Sequence, residues 1–279
     1  MERCVLITGC SSGIGHATAL AFAREGWDVV ATGRTPSALE SLREMGCRTQ
    51  YLDVTDPESI ESVVESIRLE FGRLDCLVNN AGYAQLGPLE DIPIERLREQ
   101  FSVNVFGPQR LSNEVLPLMR KTERGTIISV SSSTTAATLP GTGAYAGSKA
   151  ATEAMQSALR REVAHSQIHV VTIIPGTVNT AFATRARKEL SALDRTPVYS
   201  PVYRLLDDWL SFDGGGPGAV EPTDVADTIV NAASATQPEP AYVVGPIGKL
   251  ARISHFLPDR IHDVLVSVVL RLNSRRGNA

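Results

Sequence analysis

A tyrosine stands four residues before a lysine in "GTGAYAGSKAA", residues 141–151. On a helix, Tyr145 and Lys149 share one face. An unperturbed tyrosine, with a pKa of ~10, is a poor base near neutrality. A nearby cation favours its phenolate and lowers that value. Bringing it to ~7 takes roughly 4 kcal/mol of differential stabilisation. The pair therefore predicts a group that passes a proton to or from a ligand, with Ala144, Ala146, Gly147 and Ser148 leaving room beside it. In isolation the spacing fits equally well a lysine snorkelling over a packed tyrosine. Ser132, thirteen residues before Tyr145, closes the strand-like "TIISVSS". A hydroxyl at the C-terminal edge of a parallel strand lies where such sheets bind ligands.

A second set of residues could hold phosphates. In "TGCSSGIGHATALAFA", residues 8–23, a strand runs through Gly9, Gly13 and Gly15 into a helix. Missing Cβ atoms let the backbone approach an anion, and the helix N-terminus offers free N–H groups. The spacing is GxxxGxG, not GxGxxG. Three glycines that merely permit a tight turn are the alternative.

These residues need elements to carry them. Short β-rich runs recur at 4–8, 27–32, 49–54, 74–79, 125–131, 169–175 and 241–245. Several are continuously apolar, as strands covered on both faces should be. Helical patterns lie between them; in 57–71, Ile60, Val63, Val64 and Ile67 form one stripe. Alternating strand and helix implies a parallel sheet with right-handed crossovers and helices on both faces. The expectation is one domain over 1–279, with a long irregular lid at 180–222 and a helical tail at about 247–275. Lid residues Phe182, Leu190, Leu193, Tyr199, Tyr203, Leu206, Trp209 and Phe212 could line an apolar pocket or only pack the lid onto the body.

From Thr8 to about Thr180, the order and spacing of "TGCSSGIG", "DVT" (53–55), "NNAG" (79–82), Asn104, Ser132, "YAGSK" and "PGTVNT" (175–180) resemble the short-chain dehydrogenase/reductase superfamily. Length and tail are similar to its hydroxysteroid and retinol dehydrogenase branch. The resemblance implies an α/β, Rossmann-type doubly wound parallel sheet of order 3-2-1-4-5-6-7. It implies a nicotinamide cofactor and reversible carbonyl–alcohol chemistry on a small hydrophobic substrate. It makes Tyr145 the proton-transfer group and gives Ser132 the substrate oxygen. Lys149 would serve Tyr145 and the nicotinamide ribose. Asn104 would bend its helix and hold a water linking Lys149 to solvent, though a local kink alone would also satisfy a buried amide. For the cofactor it implies Gly9, Ser11, Ser12, Gly13, Ile14 and Gly15 at the phosphates. Asp53 and Val54 would flank the adenine, and Asn79, Ala81 and Gly82 would lie behind the fourth strand. Pro175, Gly176, Val178 and Thr180 would cradle the nicotinamide. "DVTD" also reads as a helix cap and "PG" as a simple turn.

The second strand ends in Gly33 and Arg34. An NAD site places an acidic group here for the ribose 2′-hydroxyl. This chain has no carboxylate there and offers a guanidinium to a 2′-phosphate. We expect NADP(H) in preference to NAD(H); Arg34 as a solvated turn residue is the alternative.

A net charge of −4 argues against a nucleic-acid surface. The four cysteines show no CxxC spacing, which suits a reduced interior, and the histidines show no metal-ligand spacing, so no metal is expected. Without a leader-like start or a span of ~20 apolar residues, the expected location is cytoplasmic. The tail "VLVSVVLRL" (264–272) could dock on the body, join subunits or touch a membrane surface; docking is preferred. The resemblance implies a homodimer or homotetramer pairing the helices near 95–120 and 145–165. Intact Ser132, Tyr145 and Lys149 argue against a silent cofactor-binding regulator of the same fold. The glycine spacing and the lack of a larger C-terminal substrate domain argue against a nucleotide-sugar epimerase or dehydratase.

Overall fold

The computed structural model describes residues 3–212, 215–254 and 257–275. Residues 213–214 of the expected lid and 255–256 of the expected tail lie outside the described residues, as does Arg276. The strands are β1 (Cys4–Ile7), β2 (Asp28–Gly33), β3 (Arg48–Tyr51), β4 (Cys76–Asn79), β5 (Gly125–Val130), β6 (Ile168–Pro175) and β7 (Ala241–Val244). Every neighbouring pair is parallel, in the order β3-β2-β1-β4-β5-β6-β7. This is the order and architecture the sequence implied.

The helices are α1 (Gly13–Arg24), α2 (Glu40–Glu44), α3 (Pro57–Glu70), α4 (Ile94–Phe101), α5 (Gly107–Lys121), α6 (Gly143–Glu162), α7 (Phe182–Ser191), α8 (Ser200–Ser211), α9 (Pro222–Ser234), α10 (Pro246–Ser254) and α11 (Asp259–Arg275). Strand residues alternate between two cores. Val5, Ile7, Val78, Ile128 and Ile173 pack with Phe22 of α1 and Ile229 of α9. Leu6, Leu77, Ile127 and Val170 pack with Ile60 of α3, Val115 of α5 and Leu159 of α6. Period-two side chains with both faces covered explain the apolar strand runs. α3 begins as its sequence specifies: Pro57 opens the first turn, and the Asp56 carboxylate accepts the Glu58 N–H at 3.1 Å. Its stripe is buried at Ile60, Val63 and Ile67.

The expectation of a long irregular segment at 180–222 is corrected: α7 and α8 occupy most of it. Pro201 stands in the first turn of α8, where its missing N–H breaks nothing. In the tail, α11 rests against α8, yet Ile261, Val264 and Val268 remain exposed.

The sheet edge opposite the candidate site is tied by one carboxylate. Asp75 accepts from the Cys4 N–H at 2.9 Å, Arg73 Nε at 2.8 Å and Arg124 Nη2 at 2.9 Å. Burial alone would raise its pKa, but the Arg73, Cys4 and Arg124 hydrogen bonds prevail and hold it below the usual aspartate value. A depressed folded pKa contributes stability above the unfolded value and loses it as pH falls through the folded one. Asp75→Asn should therefore lower stability at pH 7 by about 1–3 kcal/mol. Urea melts across pH should show this deficit shrinking as wild-type Asp75 becomes protonated; a deficit constant down to acid pH would remove the charge from the explanation.

Candidate active site

The ends of β1 to β6 meet residues of α6, α7 and α8 at a cleft of about 630 Å³ on the C-terminal edge of the sheet. At one end β1 turns into α1. Gly9 and Gly13 adopt φ of +74° and +58°, conformations that favour glycine. A Cβ at Gly9 would lie 2.9 Å from Ala81 Cα, and one at Gly15 would lie 2.3 Å from the Gly9 carbonyl oxygen. Asn80 locks the turn: Nδ2 donates to the Thr8 and Gly9 carbonyls at 2.9 and 3.1 Å. α1 starts without a side-chain cap and with no acidic residue in its first turn. The cradle thus leaves close-approach backbone and a positive helix end facing the cleft. That fits the phosphates of a dinucleotide.

At the other end, three consecutive residues of the β5 terminus meet α6. The Lys149 ammonium, 6 % exposed, donates to the Val130 carbonyl at 2.8 Å. Glu153, one turn further along, accepts from the Ser131 hydroxyl. The Ser132 hydroxyl hydrogen-bonds Tyr145. Ser132 Oγ accepts from the Thr134 N–H at 3.3 Å and from Thr134 Oγ1 at 3.0 Å, so its own proton is directed to Tyr145 and the cleft. Ser132, Tyr145 and Lys149 all line the cleft.

Electrostatics depart from the sequence expectation. Burial pushes the Tyr145 phenol up to about 12, and the Ser132 hydrogen bond acts against that rise. Burial also brings Lys149 down to about 8, opposed by the Glu153 carboxylate. Lys149 Nζ is 5.9 Å from the Tyr145 ring centre and is turned to Val130. Lys149 therefore does not by itself deliver the low tyrosine pKa. Desolvation outweighs it and leaves a neutral phenol that can give up a proton.

The small residues of "GTGAYAGSK" do not make room for a ligand either. Ala144 packs under α7 and α8 with Leu190 and Leu206. Ser148 faces the turn between α4 and α5, where Asn104 Nδ2 donates to its hydroxyl at 3.0 Å. Gly147 points to open space.

Asn104 sits in a π turn, Ser102–Phe106, between α4 and α5. Its Nδ2 donates to the Tyr83 carbonyl at 2.9 Å, its Oδ1 accepts the Tyr83 N–H at 3.2 Å, and its own carbonyl accepts from Thr152 at 2.9 Å. It does not line the cleft. It stands behind Gly82, where a Cβ would meet Asn104 Oδ1 at 3.1 Å and Lys149 Nζ at 3.5 Å.

Of the other expected residues, Ser11, Ser12, Ile14, Arg34, Asp53, Val54, Ala81, Pro175, Gly176, Val178 and Thr180 line the cleft with Gly9, Gly13 and Gly82. Gly15 lies behind the cradle. Asn79 is corrected: it ends β4 facing α5, with Nδ2 on Ser112 at 3.2 Å, and Asn80 takes the cleft position. Strand alternation separates these two adjacent asparagines, and identical residues hide it. The apolar residues of 180–222 divide. Leu190, Leu193, Tyr203 and Leu206 are buried against Leu86 and Ile92, while Phe182, Trp209 and Phe212 line the cleft. Sequence reasoning missed Arg185, which lines the same cleft with its guanidinium stacked 4.3 Å from the Tyr83 ring centre. Its helical position gave no signal.

The short chain dehydrogenase family model matches residues 3–191. The chain is similar to the uncharacterized oxidoreductase YbbO of Escherichia coli, 41 % identical over 68 % of this chain and 71 % of that one. It is similar to an NADPH-dependent 3-dehydrocapnine reductase of Ornithobacterium rhinotracheale, 33 % identical over 94 % and 95 %. A solved short-chain dehydrogenase from Streptomyces avermitilis superposes with a TM-score of 0.80 at 28 % identity, over 100 % of this chain and 98 % of the other.

The cradle makes a steric prediction. Gly15→Ala places a Cβ 2.3 Å from the Gly9 oxygen and 2.5 Å from Asn80 Nδ2. It should cost about 1–3 kcal/mol. Gly147→Ala, with nothing within 4 Å, should be neutral or add up to about 1 kcal/mol of helix stability. Thermal melts of both variants decide it; equal melting temperatures would mean the turn relaxes freely.

Proposed function

The chain belongs to the short chain dehydrogenase family, and we propose that it is an NADP(H)-dependent oxidoreductase acting on a hydrophobic ketone or secondary alcohol. The observation that carries this reading is the meeting of Ser132, Tyr145 and Lys149 in the cleft that also holds the glycine cradle and Arg34. The nicotinamide would supply or accept the hydride at the substrate carbon. Ser132 would donate to the substrate oxygen. Tyr145 would give its phenolic proton to that oxygen as hydride arrives, so that C=O becomes CH–OH, and would take the proton back in oxidation. Lys149 would donate to the nicotinamide ribose. A phenol raised by burial holds its proton across neutral pH and can donate it to a substrate oxygen.

NADP(H) is preferred on three grounds. Arg34 is exposed at the end of β2, it makes no ion pair among the described residues, and no acid replaces Gly33. An NADPH-dependent relative that matches almost the whole chain agrees with this. Phe182, Trp209 and Phe212 favour an apolar substrate. We further propose a single domain in which α7 and α8 form the substrate lid. We also propose a cytoplasmic setting for its four free, buried cysteines and self-association as a dimer or tetramer. No helix among the described residues is long and apolar enough to cross a membrane.

Tyr145→Phe should bind NADPH normally yet lose about 10²–10⁴-fold in turnover of any accepted ketone. NADPH oxidation across steroid, retinoid, aromatic and aliphatic carbonyls measures it. A near-wild-type rate would remove Tyr145 from proton transfer.

Cofactor choice is tested at Arg34. A charge-assisted hydrogen bond contributes about 1.5–3 kcal/mol. Arg34→Ala should weaken NADPH roughly ten- to a hundredfold and leave NADH nearly unchanged. Gly33→Asp should reverse the preference, and the turn has space for it: a Cβ there meets nothing nearer than Leu39 at 3.5 Å. Equal weakening of both cofactors by Arg34→Ala would sink the assignment.

A further inference from the structure

Tyr145, Lys149 and Glu153 recur every four residues along one face of α6. That face engages three consecutive residues at the end of β5. Lys149 holds the Val130 carbonyl, Glu153 holds the Ser131 hydroxyl, and Tyr145 meets the Ser132 hydroxyl. Proton transfer as proposed above uses Tyr145, Lys149 and Ser132 and gives Glu153 no task. Yet Glu153 has a second bond that bears on Ser132. Its Oε1 also accepts from Thr135 Oγ1 at 3.0 Å, and the same Thr135 hydroxyl lies 2.9 Å from the Ser132 carbonyl. One carboxylate oxygen therefore ties the residue before Ser132 and the turn after it.

Its charge acts in another direction. Lys149 is buried, and the Glu153 carboxylate is the one charged group among the described residues that opposes the loss of its proton. The other groups facing the ammonium are neutral: the Val130 carbonyl and, behind Gly82, the Asn104 amide. Tyr145, one turn back on the same helix, keeps its proton.

We propose that Glu153 is a positioning residue of this active site, fixing the turn that presents Ser132 and supplying the counter-charge that keeps Lys149 cationic. This rests on the proposed role of Lys149 toward the cofactor ribose. It adds a fourth residue that touches neither substrate nor cofactor. The two parts of the role separate by substitution. Glu153→Gln keeps an oxygen for Ser131 and Thr135 but removes the charge. Glu153→Asp keeps the charge on a shorter arm. Thr135→Val removes one hydrogen bond and no charge.

The decisive readout is NADPH affinity against pH, followed by quenching of protein fluorescence. In the wild type, affinity should fall as pH rises through the Lys149 pKa of about 8. Glu153 raises that pKa, so its loss must lower it. In Glu153→Gln the midpoint of the fall should move down by about one pH unit, with kcat reduced about twofold at pH 7 and about tenfold above pH 9. Glu153→Asp should keep the wild-type midpoint. Thr135→Val should lower kcat without moving the midpoint. Melting temperatures accompany each variant. A Glu153→Gln enzyme with lowered stability and an unmoved midpoint would overturn the proposal, as would a wild-type kcat in Glu153→Gln. Lys149→Ala separates the premise: if wild type and Lys149→Ala share one pH profile, the role of Lys149 itself fails, whatever Glu153 does.

Discussion

A buried ammonium organises the edge of this sheet. An isolated ion taken from water into a protein interior costs several kcal/mol. Lys149 is nevertheless 6 % exposed. It is tolerated because the Val130 carbonyl, free at the end of β5, accepts from it, and because Glu153 lies one turn away. Both compensations demand a fixed register of α6 against β5, since a helix rotation of one residue would lose them together. The opposite side of α6 enforces the same register. Ser148 receives Asn104, and Thr152 donates to the Asn104 carbonyl. Tyr145 inherits its position from this double constraint.

The π turn at Ser102–Phe106 is the matching irregularity on the neighbouring helices. An extra residue in one turn interrupts the regular backbone pairing of a helix. Here it presents the Asn104 amide to both backbone groups of Tyr83, so the segment after β4 is held at the same height as α6. That segment carries Asn80, Ala81 and Gly82, which form the cleft wall between the glycine cradle and Lys149. A Cβ at Gly82 would press on Asn104 Oδ1 at 3.1 Å from the front of this wall. The glycine cradle and the Tyr145 end of the cleft are thus one connected structure.

Much of this was legible in the sequence because it depends on local rules. Strands covered on both faces run apolar at successive positions, as β1 and β4 do, while the edge strand β3 exposes Arg48 and Tyr51. Backbone that must approach an anion has to be glycine, which marked Gly9 and Gly13. The failures have physical causes as well. Asn79 and Asn80 differ only in the face of the sheet they reach, and that is settled by β4 pairing with β1 and β5. Helices α7 and α8 lie in the stretch expected to be irregular, and Pro197 and Pro201, which would break a helix interior, each stand in a first turn. The burial that raises the Tyr145 phenol was not legible, because spacing reveals a neighbouring charge and not what encloses it.

The wall made by α7 and α8 explains how an apolar cleft can end in polar chemistry. Its inner residues are fastened to the body: Tyr203 donates to Asp91 at 2.6 Å, and the Thr196 backbone N–H donates to the same carboxylate at 3.2 Å. Leu190, Leu206 and Leu210 are buried beneath it. The wall beside Tyr145 is therefore held in place, and Phe182 lies 5.6 Å from the tyrosine ring. The outer end of that wall is different, because Phe212 lines the cleft and is also exposed. A substrate of the proposed kind would enter there, carbonyl foremost, and leave its apolar body against Trp209 and Phe212. Burial of that body would exclude water from Tyr145 and Ser132, strengthening the hydrogen bonds that hold the carbonyl oxygen. Binding energy from the apolar part would then be felt at the reacting carbon, where Lys149 has already fixed the geometry.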